Sequence, residues 1–347
     1  MSALSPREGD SSPLRVVSIG GGTGLSSLLA GLKKYARPQS DGVRVDITAI
    51  VTVTDDGGSS GRLRREFPVL PPGDIRNCMV ALSEDEGLLS RLFQHRFQAG
   101  HGLKGHSFGN LFLTAMTAIT GDFPEAVKQS SEVLNIAGRI FPSTISDVSL
   151  EAVLEGGRLV AGESRISRSK RRISEIRIKP ARVRPLKETL AAIEQADLIT
   201  MGPGSLFTSV IPNLLVSGIP KAIRQSRALK AYFVNLMSQP GETTDFRASD
   251  HVLALRKHAG GKICDCVVVS NSPISKAMRL RYAQQNAAPV ENDLEALKQL
   301  DLEVLEADLL QSSARVRHNP AAIGLVTFDL AKLGRLRRLA KMEGNGQ

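Results

Sequence analysis

The 347-residue chain predicts an α/β fold: a Rossmann-like, mostly parallel, doubly wound sheet with a small inserted antiparallel β element. Three observations predict it. Short β-branched apolar runs alternate with stretches of helical periodicity, the pattern of parallel strands joined by helical crossovers. Several of these runs end abruptly in Gly, Ser, Asp or Asn, as strands do when their carboxyl ends carry ligand loops. Residues 143–179 switch instead to period-two alternation.

Residues 14–19 (LRVVSI) read as the first strand, closed by Gly20, Gly21, Gly22, Thr23 and Gly24. Leu25, Leu28, Leu29 and Leu32 then show helical spacing. In a strand, glycine loop and helix, the N–H groups at the helix start point at an anion, and the missing side chains let a pyrophosphate approach. Leu25 stands where a G-x-G-x-x-G fingerprint has its third glycine, so a plain tight turn competes with this reading. The next apolar run (Ile47, Ile50, Val51, Val53) stops at Asp55, Asp56, Gly57, Gly58, Ser59, Ser60 and Gly61, followed by Arg62 and Arg64. Adjacent carboxylates, glycines free to take positive φ, hydroxyls and arginines make a loop able to hold a metal, a ribose or a phosphate. The bland alternative is an Asp-Gly turn leading into a solvated basic helix.

Pro71, Pro72 and Gly73 then deliver Asp74 as an N-cap or a ligand group, with Arg76 and Asn77 in the first turn of a helix. Helical stretches follow over 75–83 and 87–97. A glycine-flanked His106, with Ser107 and Asn110, opens a long apolar helix through residue 119, and this histidine is either structural or part of a site. Segments 148–154 (VSLEAVL), 158–164 (RLVAGES) and 173–179 (ISEIRIK) alternate around a Gly156-Gly157 turn, giving an inserted β subdomain or flap over 143–179. The Rossmann-like domain takes 14–142 and 180–342, after a disordered leader over 1–13. In its second part a helix over 186–196 leads to a strand at 197–200. That strand ends in Gly202, Gly204 and Ser205, a second anion-ready helix start, with Thr208, Ser209 and Asn213 on the next helix. Strands over 230–236, 267–269 and 302–307 follow, the first running into Gln239, and a helical region over 321–342 closes the chain.

Composition bounds the function classes. Hydrophobic residues make up 41% and charged residues 23%, ordinary for a globular protein with a full core. No apolar run approaches the roughly 18–20 residues of a membrane span, and the first residues lack a signal-peptide pattern; we expect no transmembrane segment and a cytoplasmic location. The three cysteines, Cys78, Cys264 and Cys266, have no metal-ligand spacing and read as reduced core residues. The net charge of +10 is local, with eleven Lys/Arg against two Glu between 158 and 187. Aromatic residues are 4% with no Trp, too few for stacking platforms, which argues against a nucleic-acid partner. Walker A, G-x-S-x-G and Cys-His signatures are missing. Asp55 or Asp56 with Asp74 form a candidate Mg²⁺ pair, since carboxylates plus substrate phosphates are its usual ligands.

The segments GGGTGLSSLLAGLK, ITAIVTVTDDGGSSGRLR, PPGDIRNCMVALS, GHSFGNLFLTAMT, GPGSLFTSVIPNLLV and NLMSQPGETTDF, in order across residues 16–269, resemble the gluconeogenesis factor family. That family is a branch of the superfamily that also contains 2-phospho-L-lactate transferase. The resemblance implies a Rossmann-like cytoplasmic protein that binds uridine diphosphate sugars such as UDP-N-acetylglucosamine and serves cell shape and cell wall synthesis during gluconeogenic growth. From the transferase branch it implies Mg²⁺ held by Asp55 or Asp56 together with Asp74. The wording of DDGGSSGRLR and PPGDIRN is that of the gluconeogenesis factor branch and does not carry over the deazaflavin acceptor of the transferases.

Two readings result. In the first, a nucleotide sugar or dinucleotide-like ligand rests its diphosphate on Gly20–Gly24 and Gly202–Ser205, while Asp55, Asp56 and Asn213 orient sugar or ribose in a homo-oligomeric binding protein. In the second, the paired acids, Arg62 and Mg²⁺ serve a phosphoryl-type transfer. A third, basic interaction module would use the 158–187 segment. The first two require that the turns near 20, 50 and 200 lie side by side.

Overall fold

The first apolar run is buried from Val16 onward, as a strand covered on both faces of a parallel sheet must be. The computed structural model describes residues 12–84, 87–169, 171–311 and 313–343; most of the expected leader, residues 1–11, lies outside them. The chain begins β1 (Leu14–Gly20), α1 (Gly22–Lys33), β2 (Val45–Val51), α2 (Gly58–Glu66), α3 (Gly73–Leu82), α4 (Leu88–Gln94), α5 (Phe108–Thr120), α6 (Phe123–Val133) and β3 (Arg139–Pro142). It continues through β4 (Ser149–Leu154), β5 (Leu159–Ala161), α7 (Glu163–Ile166) and β6 (Ile173–Lys179) into α8 (Lys187–Gln195) and β7 (Leu198–Met201). A π-helical turn, Leu206–Val210, leads to α9 (Ile211–Leu214), α10 (Ile219–Gln225), β8 (Leu229–Phe233), α11 (Ala248–Ala259), β9 (Cys266–Ser270), α12 (Lys276–Ala283), α13 (Leu294–Gln299), β10 (Glu303–Ala307) and α14 (Pro320–Glu343).

Seven strands form one sheet in the order β10-β9-β8-β7-β1-β2-β3, with every pairing parallel. β1 to β3 step one way and β7 to β10 the other, so the winding reverses between β1 and β7. Doubly wound sheets bind ligands at the carboxyl side of that reversal. Ile19 lies beside Met201 and Gly20 beside Val51, which brings the turns after β1, β2 and β7 to one edge.

Several boundaries differ from expectation. β2 stops at Val51, and Thr52 and Thr54 pair their hydroxyls at 3.0 Å inside the protein. β8 ends at Phe233 rather than running to 236, and two residues on, the Asn235 side chain is bonded to the Gly204 backbone. β3 was not anticipated; its RIFP sequence is four residues with a terminal proline, below what periodicity resolves.

The small sheet, β5-β4-β6, is antiparallel. It is docked rather than free: the Ile176 N–H donates to His258 Nε2 (3.0 Å), Lys257 Nζ donates to Ser174 O (2.7 Å), and Arg64 Nη2 donates to Val148 O (2.5 Å). On the main sheet, α14 crosses α1 where Gly31 meets Gly324; a Cβ on Gly31 would lie 1.7 Å from Pro320 O. At the amino edge the fully buried Asp197 accepts from the Arg15 N–H (2.8 Å), from Arg335 Nη2 (2.8 Å) and from Arg338 Nη1 (3.3 Å). Among the described residues no single helix is long and apolar enough to cross a membrane.

Candidate functional site

The turns after β1 and β7 are built against each other. A Cβ on Gly24 would fall 2.4 Å from Pro203 O, and one on Gly21 would fall 2.6 Å from Asp74 Oδ2 and 2.8 Å from Thr52 Cγ2. Only glycine permits this approach. The second turn is held by Asn235, which accepts from the Gly204 N–H (3.1 Å) and donates to Gly204 O (2.8 Å). Gln239 Nε2 donates to Ser205 Oγ (2.7 Å). Between the turns lies a cleft of about 240 Å³, lined by residues 21–24, Ser27, residues 203–205, Ser209, residues 235–237, Gln239 and residues 316–318. Its lining contains no carboxylate and one arginine, Arg317. Two polar atoms beside it, Gln239 Oε1 and His318 Nε2, are buried without a hydrogen-bond partner, and burial lowers the His318 pKa to about 4. Buried polar atoms are otherwise almost always paired. A larger cavity, about 370 Å³, opens at the opposite edge. Its charges are answered internally, by Lys262 with Asp301 and Arg337 with Glu303, and it lies at the amino ends of β8 to β10, away from the ligand edge of such sheets.

Beneath Gly21 and Gly22 lie the acids. Asp74 is not an N-cap: α3 starts at Gly73 with Pro72 at the cap, and Asp74 occupies the first turn. There its carboxylate accepts the Gly22 N–H, while burial, and then neighbouring Asp55, push it up to about 7. Asp55 Oδ1 accepts from the Gly57 N–H (2.8 Å), closing an Asx turn, and its Oδ2 faces Gly73. Asp56 turns the other way and accepts from the Ser164 N–H (2.8 Å) at the start of α7. The inserted sheet thereby brings Glu163 into the group. Burial raises Glu163 to about 7, with further pushes from Asp55, Asp56, Asp74 and Glu242. Glu242 Oε1 accepts from Thr208 Oγ1 and Ser167 Oγ, both at 3.2 Å, its Oε2 is unpartnered, and burial raises its carboxyl.

Among the described residues no three His, Cys, Asp or Glu side chains come together as a metal-binding group. The Asp55 and Asp74 pair has the hard-oxygen chemistry Mg²⁺ prefers, and Mg²⁺ commonly takes only one or two carboxylates plus phosphate oxygens and water. Asp56, directed at the insert, does not complete a three-aspartate set.

The other residues singled out in the sequence lie behind the turns. Ser59 Oγ pairs with His106 Nδ1 (3.0 Å), and Asn110 Nδ2 donates to Ser60 Oγ (3.4 Å). Ser107 caps α5 by accepting from the Asn110 N–H (3.3 Å). All five are buried and brace the start of α2 from the protein interior. Asn77 accepts from Arg76 Nη2 (2.6 Å). Asn213, fully buried, donates to Gly20 O (3.1 Å) and Ser209 O (2.8 Å), so its amide supports the first turn from within instead of facing a sugar. Gly202 is also buried, with Phe233 O 3.1 Å from where its Cβ would be.

A profile of the family described as 2-phospho-L-lactate transferase CofD matches residues 16–310. The gluconeogenesis factor of Halalkalibacterium halodurans is 48% identical over 309 residues, covering 89% of this chain and 94% of that protein. The gluconeogenesis factor of Bacillus subtilis is 47% identical over 319 residues, covering 92% and 98%. The chain belongs to the gluconeogenesis factor branch of the CofD family. The crystal structure of a Bacillus halodurans protein of the UPF0052 family has a TM-score of 0.86 at 46% identity, over 91% of this chain and 99% of that one.

In this CofD-family chain the structure also brings in residues that the sequence did not single out. Ser27 is one turn past the glycine loop on α1, within reach of periodicity. Asn235 belongs to a strand end whose polar character was visible. Glu163, Ser164 and Glu242 reach the acids only through docking of the insert, and Arg317 and His318 only through the return of the chain before α14. No local spacing marks these five.

Proposed function

We propose that the protein binds a nucleotide sugar of the UDP-N-acetylglucosamine type in the cytoplasm and acts through that binding, in support of cell wall synthesis and cell shape during gluconeogenic growth. The observation that carries the binding half is the cleft between the two glycine turns. With the Gly22 and Gly204 N–H groups taken by Asp74 and Asn235, the backbone N–H groups of Thr23 and Gly24 at the start of α1 and of Ser205 before the π-helical turn border a space lined by one guanidinium and no acid, which suits a diphosphate. Gln239 Oε1 and His318 Nε2 are the uncommitted polar atoms available to a base or sugar hydroxyls. The relatives' name supports the gluconeogenic setting, and the resemblance supports the cell wall role. Calorimetry against UDP-N-acetylglucosamine, with and without Mg²⁺, tests the reading: saturable heat is expected, and its absence at millimolar ligand rejects it.

The acids favour a second reading, a phosphoryl-type transferase. Asp74 bonds the Gly22 N–H and ionises near neutral pH, the range in which a carboxyl both accepts and releases a proton. Asp55 and Asp74 would hold Mg²⁺, which supplies neutralisation of phosphate charge. Turnover of a phosphorylated donor that is lost in Asp74→Asn, with binding of the nucleotide sugar retained, would select this reading over a pure binding protein.

A further inference from the structure

We propose that Arg62, Arg76 and Arg96, gathered around the start of α5, form a second binding site, for the oxyanion of a phosphate or carboxylate on a ligand other than the one seated on the glycine turns. None of the three lines the glycine cleft, so the inference does not depend on what fills that cleft.

The geometry comes from the segment before α5. Arg96 Nη1 donates to Gly105 O at 2.6 Å, and a Cβ on Gly105 would lie 3.0 Å from Arg62 Nη2. Both guanidinium groups therefore converge on one residue, and its φ of +83° suits glycine. Arg76 approaches from α3, with its Cγ and Cδ each 2.8 Å from where a Cβ of Gly109 would be, in the first turn of α5. The three feel one another: Arg96 lowers the pKa of Arg76 after burial does, and Arg62 and Arg96 both lower that of the buried His106 between them.

Such a gathering costs energy unless an anion answers it. Some arginines elsewhere are answered by a carboxylate, as Arg64 is by Asp147, Arg139 by Asp46 and Arg335 by Asp197. Among the described residues none of these three makes an ion pair with a carboxylate. Asp74 and Asp55 act on Arg76, and Glu66 acts on His106, but none of them is in ion-pair contact. Two polar atoms here are buried and without partners, Arg76 Nε and Asn110 Oδ1. A guanidinium with an unused Nε–H and a second and third fork nearby match the flat, multi-acceptor edge of a phosphate or carboxylate. The N-terminus of the 13-residue α5 adds a field of the same sign. Arg76 stands two residues after Asp74 on α3 and feels the charges of Asp74 and Asp55, so a molecule anchored here would lie near the acids. The molecule thus has two anion-attracting regions, the glycine cleft and the arginine cluster.

The test is binding of inorganic phosphate to the full-length protein by ³¹P NMR titration at fixed ionic strength. Arg96 is exposed, so Arg96→Ala should fold as the wild type does; Arg62→Ala is the second variant and Arg317→Ala, in the glycine cleft, is the control. Each site variant is expected to weaken phosphate about tenfold or more, the effect of one lost charge-assisted hydrogen bond, while Arg317→Ala leaves this phosphate in place. Competition with glycerol phosphate and with acetate then names the class: displacement by either supports the site, and the stronger competitor identifies its oxyanion. Phosphate that fails to bind, that binds equally to Arg96→Ala and Arg62→Ala, or that is lost only in Arg317→Ala overturns the proposal.

Discussion

Asp74 concentrates the chemistry at the scale of single residues. Its carboxyl ordinarily ionises at 3.8 but here at about 7, so between those values the folded protein holds a proton that the unfolded chain has released. Stability therefore falls as pH rises from about 4 to about 7 and levels off above. Asp74→Asn should flatten this decline, measured as the difference in melting temperature between pH 5 and pH 8. Glu163, raised in the same direction, should keep a part of the slope. A variant with the wild-type slope would mean that the carboxyl is ionised throughout. Asp74 was visible in the sequence because it follows a Pro-Pro-Gly turn, but its role was not. Capping is a local property, whereas its burial against Gly21 and Asp55 depends on three segments meeting. Asn213 shows the converse: its position after the second glycine turn is legible, but only the fold shows its amide turned inward to Gly20 O at 3.1 Å.

Among the elements, the strands and glycine turns were the most legible, since β-branched runs that stop at glycine carry both a period and a boundary signal. The inserted sheet was equally clear, because Ile176 and Ile178 are buried and Arg177 and Lys179 exposed, as alternation requires, while Ile173 reaches the same buried face through a register shift opposite Val153 and Leu154. Its contact with the site was not: the sequence reads as a subdomain or flap, and only the fold shows the Ser164 N–H of α7 donating to Asp56. The closing helix reads in sequence only as a helical region, yet Arg335 and Arg338 are spent on Asp197, 138 and 141 residues earlier. Replacing the acid strands two guanidinium groups at a buried position, so Asp197→Ala should cost about 3–5 kcal/mol in denaturant unfolding. A cost below 1 kcal/mol would show that α14 is held by packing alone, through contacts such as Gly31 with Gly324.

For the molecule as a whole, what matters is where the winding reverses. Strand order has no local code: no residue in β7 announces that it will lie beside β1 rather than beside β3. The right-handed crossover rule and the polarity of strand ends narrow the choices, which is why turns near 20, 50 and 200 were expected together. They do meet at one edge, the first and third across an open cleft and the second through Asp74. The basic stretch over 158–187 lies largely on the exposed face of the small sheet and its flanks, which accounts for charge that composition alone left unassigned. The central claim, that the turns after β1 and β7 form a single diphosphate site, is tested most directly by a crystal structure of the complex with UDP-N-acetylglucosamine. The account predicts diphosphate oxygens against the N–H groups of Thr23, Gly24 and Ser205 with Arg317 alongside; a ligand bound elsewhere, leaving those groups untouched, would contradict it.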